Sequence, residues 1–586
     1  MTERANPAGE KPAFVSGPAD MEGPSDSLFC CKWLRHRVPL AHREELYHIL
    51  RMTVPLVRLD SVYISSFDNR VFVSYSFQTI NVTTAATGYG LALACDTLVS
   101  QTFGGKNLLR VGVILQRGII ILLLFCLPCW GLLLNAQAIL LCLGQNPEVA
   151  RYSRKHVPMP LLTLLVLIIT WCLCTQGIIL PQMYSAAVAN IANVVTNYIF
   201  LYWLDLGVGG SAAANTLSQI YICTFLFSYI WWKKLHVKTW GGWSAESLQE
   251  WGSYMKLAFP STLMKCFEWW VYELGGFFAG MLSEDELAAQ HAVIMVAFIT
   301  YMFPLGIQAA ACARVGNALG AGDTGRAILT CKMSFALAGI IAVIEGLLLG
   351  STKSVIGFIF TSDEKITGLV SYLMNAYCFL QFFDAFMCVC SGIFLGTGKQ
   401  KIPAVGNFIG FYCIGLPLSV TLTFVTKLRI LGFWLGLLVG LILLCSFYIT
   451  IISRLNWEEI TQEVCSAGRQ HLDFQELFVS CKHLRSSTLV QFLFVFVLEY
   501  HTSMGTECHD GDSDTQCDQV VRLKGGHLST GQLILRRGLT AFAAVGLLAV
   551  GAAVHFLVPQ PQTNFTLDWN NTTHTHQILS TAQVPN

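Results

Sequence analysis

The chain has 586 residues, of which 54% are hydrophobic and only 12% charged, and its 37 Lys and Arg nearly balance 36 Asp and Glu for a net charge of +1. Soluble domains carry about twice that share of charge, so the composition indicates a polytopic membrane protein rather than a soluble enzyme, and no basic motif for nucleic acid is present. The 21 Cys lie mostly in apolar runs such as Phe125–Trp130, where they act as small hydrophobes rather than disulfides or metal ligands. Cys126 and Cys129 in that run are three apart, but no second Cys pair or His cluster completes zinc-like spacing, so no metal site is expected.

Residues 1–45 are polar and lack the apolar core of a signal peptide. Lys32, Arg35, Arg37 and Arg43 precede the first candidate span, which places this tail in the cytoplasm. Residues 46–70 stand where a first helix belongs, yet they carry Arg51, Arg58, Asp60, Asp68 and Arg70, so that helix is degenerate. Residues 71–95 form a second, more polar span containing Asn81. Hydrophobic runs then predict helices near 118–144, 157–174, 178–204, 206–232, 256–282, 286–312, 331–350, 367–395, 403–426, 430–453 and 538–558.

The spans divide into an N-lobe (46–232), a basic cytoplasmic linker (233–255), a C-lobe (256–453), a second cytoplasmic linker (454–537) and a thirteenth helix. Arg536 and Arg537 before the last helix, and Lys233, Lys234 and Lys238 in the first linker, fit a cytoplasmic side. Arg151, Arg154 and Lys155 run against the same rule, in a loop that should be external. The tail 559–586 is then extracellular, and its Asn564, Asn570 and Asn571 each begin a glycosylation sequon.

One stretch concentrates the chemistry. Residues 256–282 are long enough to span a bilayer but include Glu268 and Glu273, with Trp269, Trp270 and Tyr272 between them. A carboxylate at membrane depth is costly and by default marks an ion or substrate path. On an ideal helix the two acids are roughly 140° apart, flanking one broad face. Tyr272 lies one turn from Glu268, and Trp269 one turn from Glu273. Aromatic faces attract cations, and a carboxylate taken out of water is stabilised by a proton or a cation. The pattern suits exchange of one for the other.

The two halves of the chain repeat. Val99-Ser-Gln-Thr-Phe-Gly-Gly is echoed by Val315-Gly-Asn-Ala-Leu-Gly-Ala, Val188-Ala-Asn by Val405-Gly-Asn, and Gly210 by Gly432, all in the same order. Internal repeats of this kind are a common transporter plan, with the substrate site near mid-membrane.

These residues resemble a known family. Ala94-Cys-Asp-Thr-Leu-Val-Ser-Gln-Thr-Phe-Gly, Val111-Gly-Val-Ile-Leu-Gln-Arg, Phe267-Glu-Trp-Trp-Val-Tyr-Glu, Arg314-Val-Gly-Asn-Ala-Leu-Gly-Ala-Gly-Asp and Gly396-Thr-Gly-Lys-Gln look like the vertebrate multidrug and toxin extrusion transporters. The resemblance covers roughly residues 80–455 and returns near Leu528–Gly538. It implies an all-α fold of two pseudo-symmetric six-helix bundles around a V-shaped cleft, plus one extra C-terminal transmembrane helix.

It further implies a monomeric, non-enzymatic plasma-membrane antiporter that exports organic cations for protons, with no cofactor beyond the coupling proton. Glu268, Glu273 and Asp384 fall on the family's coupling acids, Asp384 where Glu is usual. Asn81, Trp269, Tyr272 and Tyr301 fall on cavity positions.

The sequence also departs from the family pattern. Met295 stands where relatives carry an acid, and Arg58 where they carry a neutral Gln. Residues 158–175 are shortened, and Lys265 lies one turn before Glu268, where it can pair with that acid and compete with a cationic substrate. Such departures fit a divergent, transport-inactive paralogue or a mis-spliced or mis-predicted gene. A lipid-linked sugar flippase needs several cavity cations, and only Lys265 is present. An intramembrane enzyme needs a nucleophile–base pair, and none is visible. Glu345 reads as a residue near the membrane surface, and Asp96 and Arg314 as structural groups at helix ends.

Overall fold

Long apolar helices closed by short polar caps make up the described chain. The computed structural model describes residues 39–60, 86–135, 138, 180–204, 207–234, 236–467 and 530–557, and among them there is no strand. Asn81, Asn564, Asn570, Asn571 and the span 157–174 lie outside the described residues, as does the side chain of Arg58.

The first lobe contributes α1 (Leu40–Asp60), α2 (Ala86–Gly104), α3 (Leu108–Leu134), α4 (Leu180–Tyr198) and α5 (Gly207–Trp232). The second contributes α6 (Trp251–Leu282), α7 (Glu284–Gly320), α8 (Thr324–Thr352), α9 (Glu364–Thr397), α10 (Lys401–Asn407) and α11 (Ile430–Arg454). Beyond α10 the helix continues through π-helical turns as far as Val425. The last helix is α12 (Thr530–Leu557).

Seven stretches among the described residues are long and apolar enough to cross a membrane, and they include α3, α7, α8, α9 and α11. The charge-bearing α6 is not one of them.

Several helices extend past the ranges expected from hydropathy. Helix α1 begins at Leu40, so residues 40–45 belong to it rather than to the tail. Helix α3 begins at Leu108, α7 runs on to Gly320, and α12 begins at Thr530, inside the segment assigned to the second linker. Hydropathy registers only the stretch that lipid or core must cover, whereas a helix continues until a cap stops it. Ser283 caps α7 by accepting from the Glu286 amide at 3.2 Å, with Glu284, Asp285 and Glu286 in the first turn. Asp323 caps α8 and Asp363 caps α9 in the same way, at 2.9 and 2.8 Å. Gly398, at φ 76°, ends α9 in the left-handed conformation.

The first linker is folded rather than extended. The Gln116 side chain on α3 donates to the Gly242 carbonyl at 2.8 Å and accepts from the Ser244 amide at 3.1 Å. Arg117 reaches the Glu246 carbonyl at 3.2 Å and the Glu250 carboxylate at 3.4 Å. Arg537 of α12 donates to the Leu248 carbonyl at 2.8 Å and lies 4.1 Å from the Trp251 ring centroid. Helix α12 packs along α3, where Asn135 donates to the Gly551 carbonyl at 2.7 Å. The outward face of α12 leaves Leu535, Phe542 and Phe556 exposed, as expected of a surface solvated by lipid tails.

The two copies of the repeated sequence meet each other. A Cβ placed on Gly104 at the end of α2 would stand 2.1 Å from the Asn317 carbonyl oxygen on α7, and one on Gly316 would stand 2.2 Å from Ser100 Oγ. The repeat therefore marks a close contact between lobes where only glycine fits. Next to it the Thr97 hydroxyl donates to the Leu395 carbonyl at 2.9 Å and accepts from the Gln400 amide at 2.8 Å, while Gln101 donates to the Gly396 carbonyl at 3.0 Å. Glu45 of α1 closes the same end by pairing with Arg314 and accepting from the Thr330 hydroxyl at 2.8 Å. Arg314 thus holds helix ends together. Asp96, expected to do the same, is 2% exposed and neither carboxylate oxygen has a partner among the described residues.

Gly104→Ala is expected to lower stability by about 1–3 kcal/mol, because the atom in the way is backbone. Gly316→Ala is expected to cost a similar amount, since Ser100 Cβ, fixed to its backbone, would stand 2.7 Å away. Thermal unfolding of the two variants in detergent checks this, and wild-type melting temperatures in both would contradict this account of the contact.

Candidate functional site

Helix α6 carries the densest set of polar groups inside a membrane-spanning length of chain. It contains Pro260, followed by two hydroxyls that bond back into the preceding turn: Ser261 donates to the Leu257 carbonyl and Thr262 to the Ala258 carbonyl, both at 2.9 Å. One turn on, Lys265 is fully buried at 0% exposure. Its ammonium donates to both oxygens of Glu268, at 2.9 and 3.0 Å, and to the Tyr301 hydroxyl of α7 at 3.2 Å. Tyr301 in turn donates to Glu268 Oε1 at 2.7 Å. The i, i+3 spacing puts lysine and acid on one face, and the tyrosine closes the triangle from the neighbouring helix.

Two aromatic rings flank the same ammonium. Lys265 Nζ lies 5.9 Å from the ring centroid of Tyr89 on α2 and 6.0 Å from that of Tyr301. These are cation–π distances. Tyr89 stacks on Trp269, with centroids 5.5 Å apart and planes 29° apart. The cage is therefore built from both lobes, and an internal cation already fills it. Tyr89 is a site residue that sequence reasoning missed; nothing in the sequence separates it from the other buried residues of α2.

The other acids are placed differently. Asp384 on α9 is half-buried, within Coulombic reach of Glu268 and Lys265, and has no hydrogen-bond partner among the described residues. Glu273 is also half-buried, again with no hydrogen bond or ion pair among them. The structure thus brings Glu268, Lys265, Tyr301 and Asp384 into one electrostatic group, with Glu273 beyond it along α6.

Tyr272 stands on the C-lobe side. Its ring centroid is 6.3 Å from that of Trp434, whose indole donates to Gln290 Oε1 at 2.7 Å, and it lies within Coulombic reach of Asp384 and Glu268. Cys388 links the group further by donating to Gln308 Oε1 at 2.9 Å. Met295 is buried on α7. No grouping of acids, His and Cys fit for a metal ion occurs among the described residues.

The geometry defines a class of protein: an all-helical membrane transporter of two lobes in contact at one end, with carboxylates and aromatic rings gathered on the inner helices of one lobe. The chain belongs to the multidrug and toxin extrusion family. The family model MatE matches residues 72–199 and 260–421. The chain is 42% identical over 549 residues to multidrug and toxin extrusion protein 1 of Danio rerio, covering 90% of this chain and 92% of that one. It is 39% identical over 574 residues to the protein of the same name in Homo sapiens, covering 92% and 98%. It is 47% identical over 395 residues to multidrug and toxin extrusion protein 2 of Mus musculus, covering 67% and 69%. Among solved structures, the eukaryotic MATE transporter AtDTX14 superposes with a TM-score of 0.69 at 23% identity, covering 73% of this chain and all of that one.

Breaking a buried ion pair from one side costs about 3–5 kcal/mol, whereas replacing both partners with neutral groups is often nearly neutral. Lys265→Met is accordingly expected to destabilise the protein strongly, and the double variant Lys265→Met/Glu268→Gln to recover most of that loss. A double-mutant cycle from chemical or thermal unfolding measures the coupling. Additive effects would show that Lys265 and Glu268 do not depend on each other.

Proposed function

We propose that this chain is a proton-coupled antiporter that exports organic cations in exchange for protons. The observation that carries the reading is the contrast among its acids: Glu268 already holds an internal ammonium, while Asp384 and Glu273 are half-buried with no partner among the described residues. A desolvated carboxylate with no counter-ion is stabilised by taking a proton or a cation, and the two occupants exclude each other. The names of the relatives, multidrug and toxin extrusion proteins, favour cationic drugs or toxins as cargo.

In the proposed cycle, protons enter from the outer side, neutralise Asp384 or Glu273, and release the bound cation outward. After the lobes reverse, proton loss to the cytoplasm restores the anionic site. Trp269, Tyr272 and Tyr301 supply aromatic faces that suit flat cations of varied shape, and Asn81 is proposed to face the same space. Glu268 serves mainly through its partner: Lys265 occupies the cage, so a substrate's charged head binds toward Asp384 rather than between Tyr89 and Tyr301. Protons are the coupling ion, the protein acts as a monomer, and its place is the plasma membrane with the N-terminus cytoplasmic. Asn564, Asn570 and Asn571 are the proposed glycosylation sites of an extracellular tail, and Arg58 a modulator of the first helix.

Efflux of a fluorescent organic cation from vesicles with an imposed proton gradient tests the reading. Asp384→Asn and Glu273→Gln are each expected to reduce gradient-driven efflux at least tenfold, about 1.4 kcal/mol in the rate-limiting barrier, with protein level and melting temperature maintained. Normal efflux in both variants would overturn the assignment. Lack of efflux by the unmodified chain, correctly inserted, would instead favour a transport-inactive paralogue.

A further inference from the structure

Glu345 has no role in the cycle above, and its place on α8 does not fit a residue at the membrane surface. It is 7% exposed, and neither carboxylate oxygen has a hydrogen-bond partner among the described residues. The seam it occupies is held by Gln381 of α9, which donates to the Ala342 carbonyl one turn before Glu345 at 2.8 Å. The amide oxygen of Gln381, on a residue 4% exposed, is also buried without a partner. One helix–helix seam therefore holds three buried acceptor oxygens that lack a donor among the described residues. Buried acceptors of this kind require one, and an ionised carboxylate has none to give, while a protonated one supplies an O–H.

The surroundings favour the proton over a counter-ion. Among the described residues Asp384 lies within Coulombic reach of Glu345, and no ion pair joins Glu345 to a Lys or Arg. Tyr377, one turn before Gln381 on α9, lies within Coulombic reach of both acids, and its hydroxyl is 2.5 Å from that of Thr300 on α7. Cys378, next to Tyr377 on α9, is a further titratable group there. Helix α1, which also packs on α8, places Glu45 against Thr330 and Arg326 near the opposite end of α8.

We propose that Glu345 is a second proton-holding carboxyl of the C-lobe, coupled electrostatically to Asp384 across the α8–α9 seam. A proton that leaves Glu345 as another reaches Asp384 conserves charge: as an O–H bond forms on Asp384, the one on Glu345 breaks, and the seam never holds two anions. Two carboxyls coupled in this way titrate as a pair rather than as independent sites. Glu345 thereby gives the exchange site a proton store that is sealed from the bulky cation and open to the proton. The inference rests on the proton-coupled reading, but its first test does not require transport.

Infrared difference spectra of the purified full-length protein, recorded across a pH titration, supply that test. The wild-type protein is expected to show the carbonyl stretch of a protonated carboxylic acid that is sensitive to D2O. That band should be absent in Glu345→Gln at an unchanged melting temperature, shifted but present in Glu345→Asp, and displaced in its pH midpoint by Asp384→Asn. In gradient-driven efflux, Glu345→Gln should reduce the pH profile from two titration steps to one.

Unchanged spectra in Glu345→Gln would overturn the proton site whatever transport does. A Glu345 band indifferent to Asp384→Asn would overturn the coupling. A protein that shows the coupled bands yet exports no cation under a proton gradient would overturn the antiporter reading and leave the proton pair standing.

Discussion

An ammonium or a carboxylate inside a bilayer has to find its counterpart within the protein, because lipid offers none. The fully buried contact of Lys265 with Glu268 is the strongest expression of that constraint, with three hydrogen bonds converging on one ammonium. Neither group alone suits its position. Together with Tyr301 they form a neutral unit that fixes α6 against α7, and the rings of Tyr89 and Trp269 carry the same contact across to α2. The inner faces of three helices are thereby set relative to one another, and the remaining acids take their positions from that frame.

The same accounting governs the ends of the helices. Glu45 meets Arg314 and Arg326 where α1 lies against α7 and α8. Glu286 meets Arg429 and accepts from the Ile430 amide at 3.1 Å where α7 lies against α11. Arg110 and Arg117 share Glu250 where the linker folds back on α3. Each pair joins segments distant in sequence, and each lies close to a helix end. Between these levels, close glycine contacts replace ion pairs. At one end the lobes are held together by the repeat glycines, the Thr97–Gln400–Leu395 bonds and the Glu45–Arg314 pair.

Much of this was legible in the sequence. Helix content, the repeat and the paired acids of residues 256–282 all follow from hydropathy, spacing and motif. The repeat in particular proved to be a contact: Gly104 and Gly316 are small because the two copies press on each other. What stayed hidden has a common physical cause. The partner of Arg314 is Glu45, which reads as part of a polar tail and joins α1 only once Arg314 and Thr330 are beside it. Tyr89 looked like any core aromatic until Trp269 lay against it. Glu345 looked like an acid close to the surface because depth within a helix was judged from distance to the helix end. The packing of α9 on α8, which seals it, appears only in three dimensions. Helix ends shifted for a similar reason, since caps such as Ser283 and Asp323 act on hydrogen bonds that hydropathy does not register.

The distribution of the acids bears on how such a site can be exchanged between two sides of a membrane. Glu268, Glu273, Glu345 and Asp384 all lie on α6, α8 and α9, within one lobe, and the described part of the other lobe adds only the ring of Tyr89 to the cage. Alternating access in repeat-built transporters works largely by one bundle rocking against the other around a fixed site. A site whose charges all belong to one lobe keeps its own electrostatics while the other lobe swings. The contacts between lobes that such a motion loads are the glycine packing, the Thr97 and Gln101 hydrogen bonds, each bond worth about 0.5–1.5 kcal/mol net, and the ion pair of Glu45 with Arg314. The ion pair of Lys265 and Glu268, which would be far more costly to open, lies within α6 itself and moves as one piece.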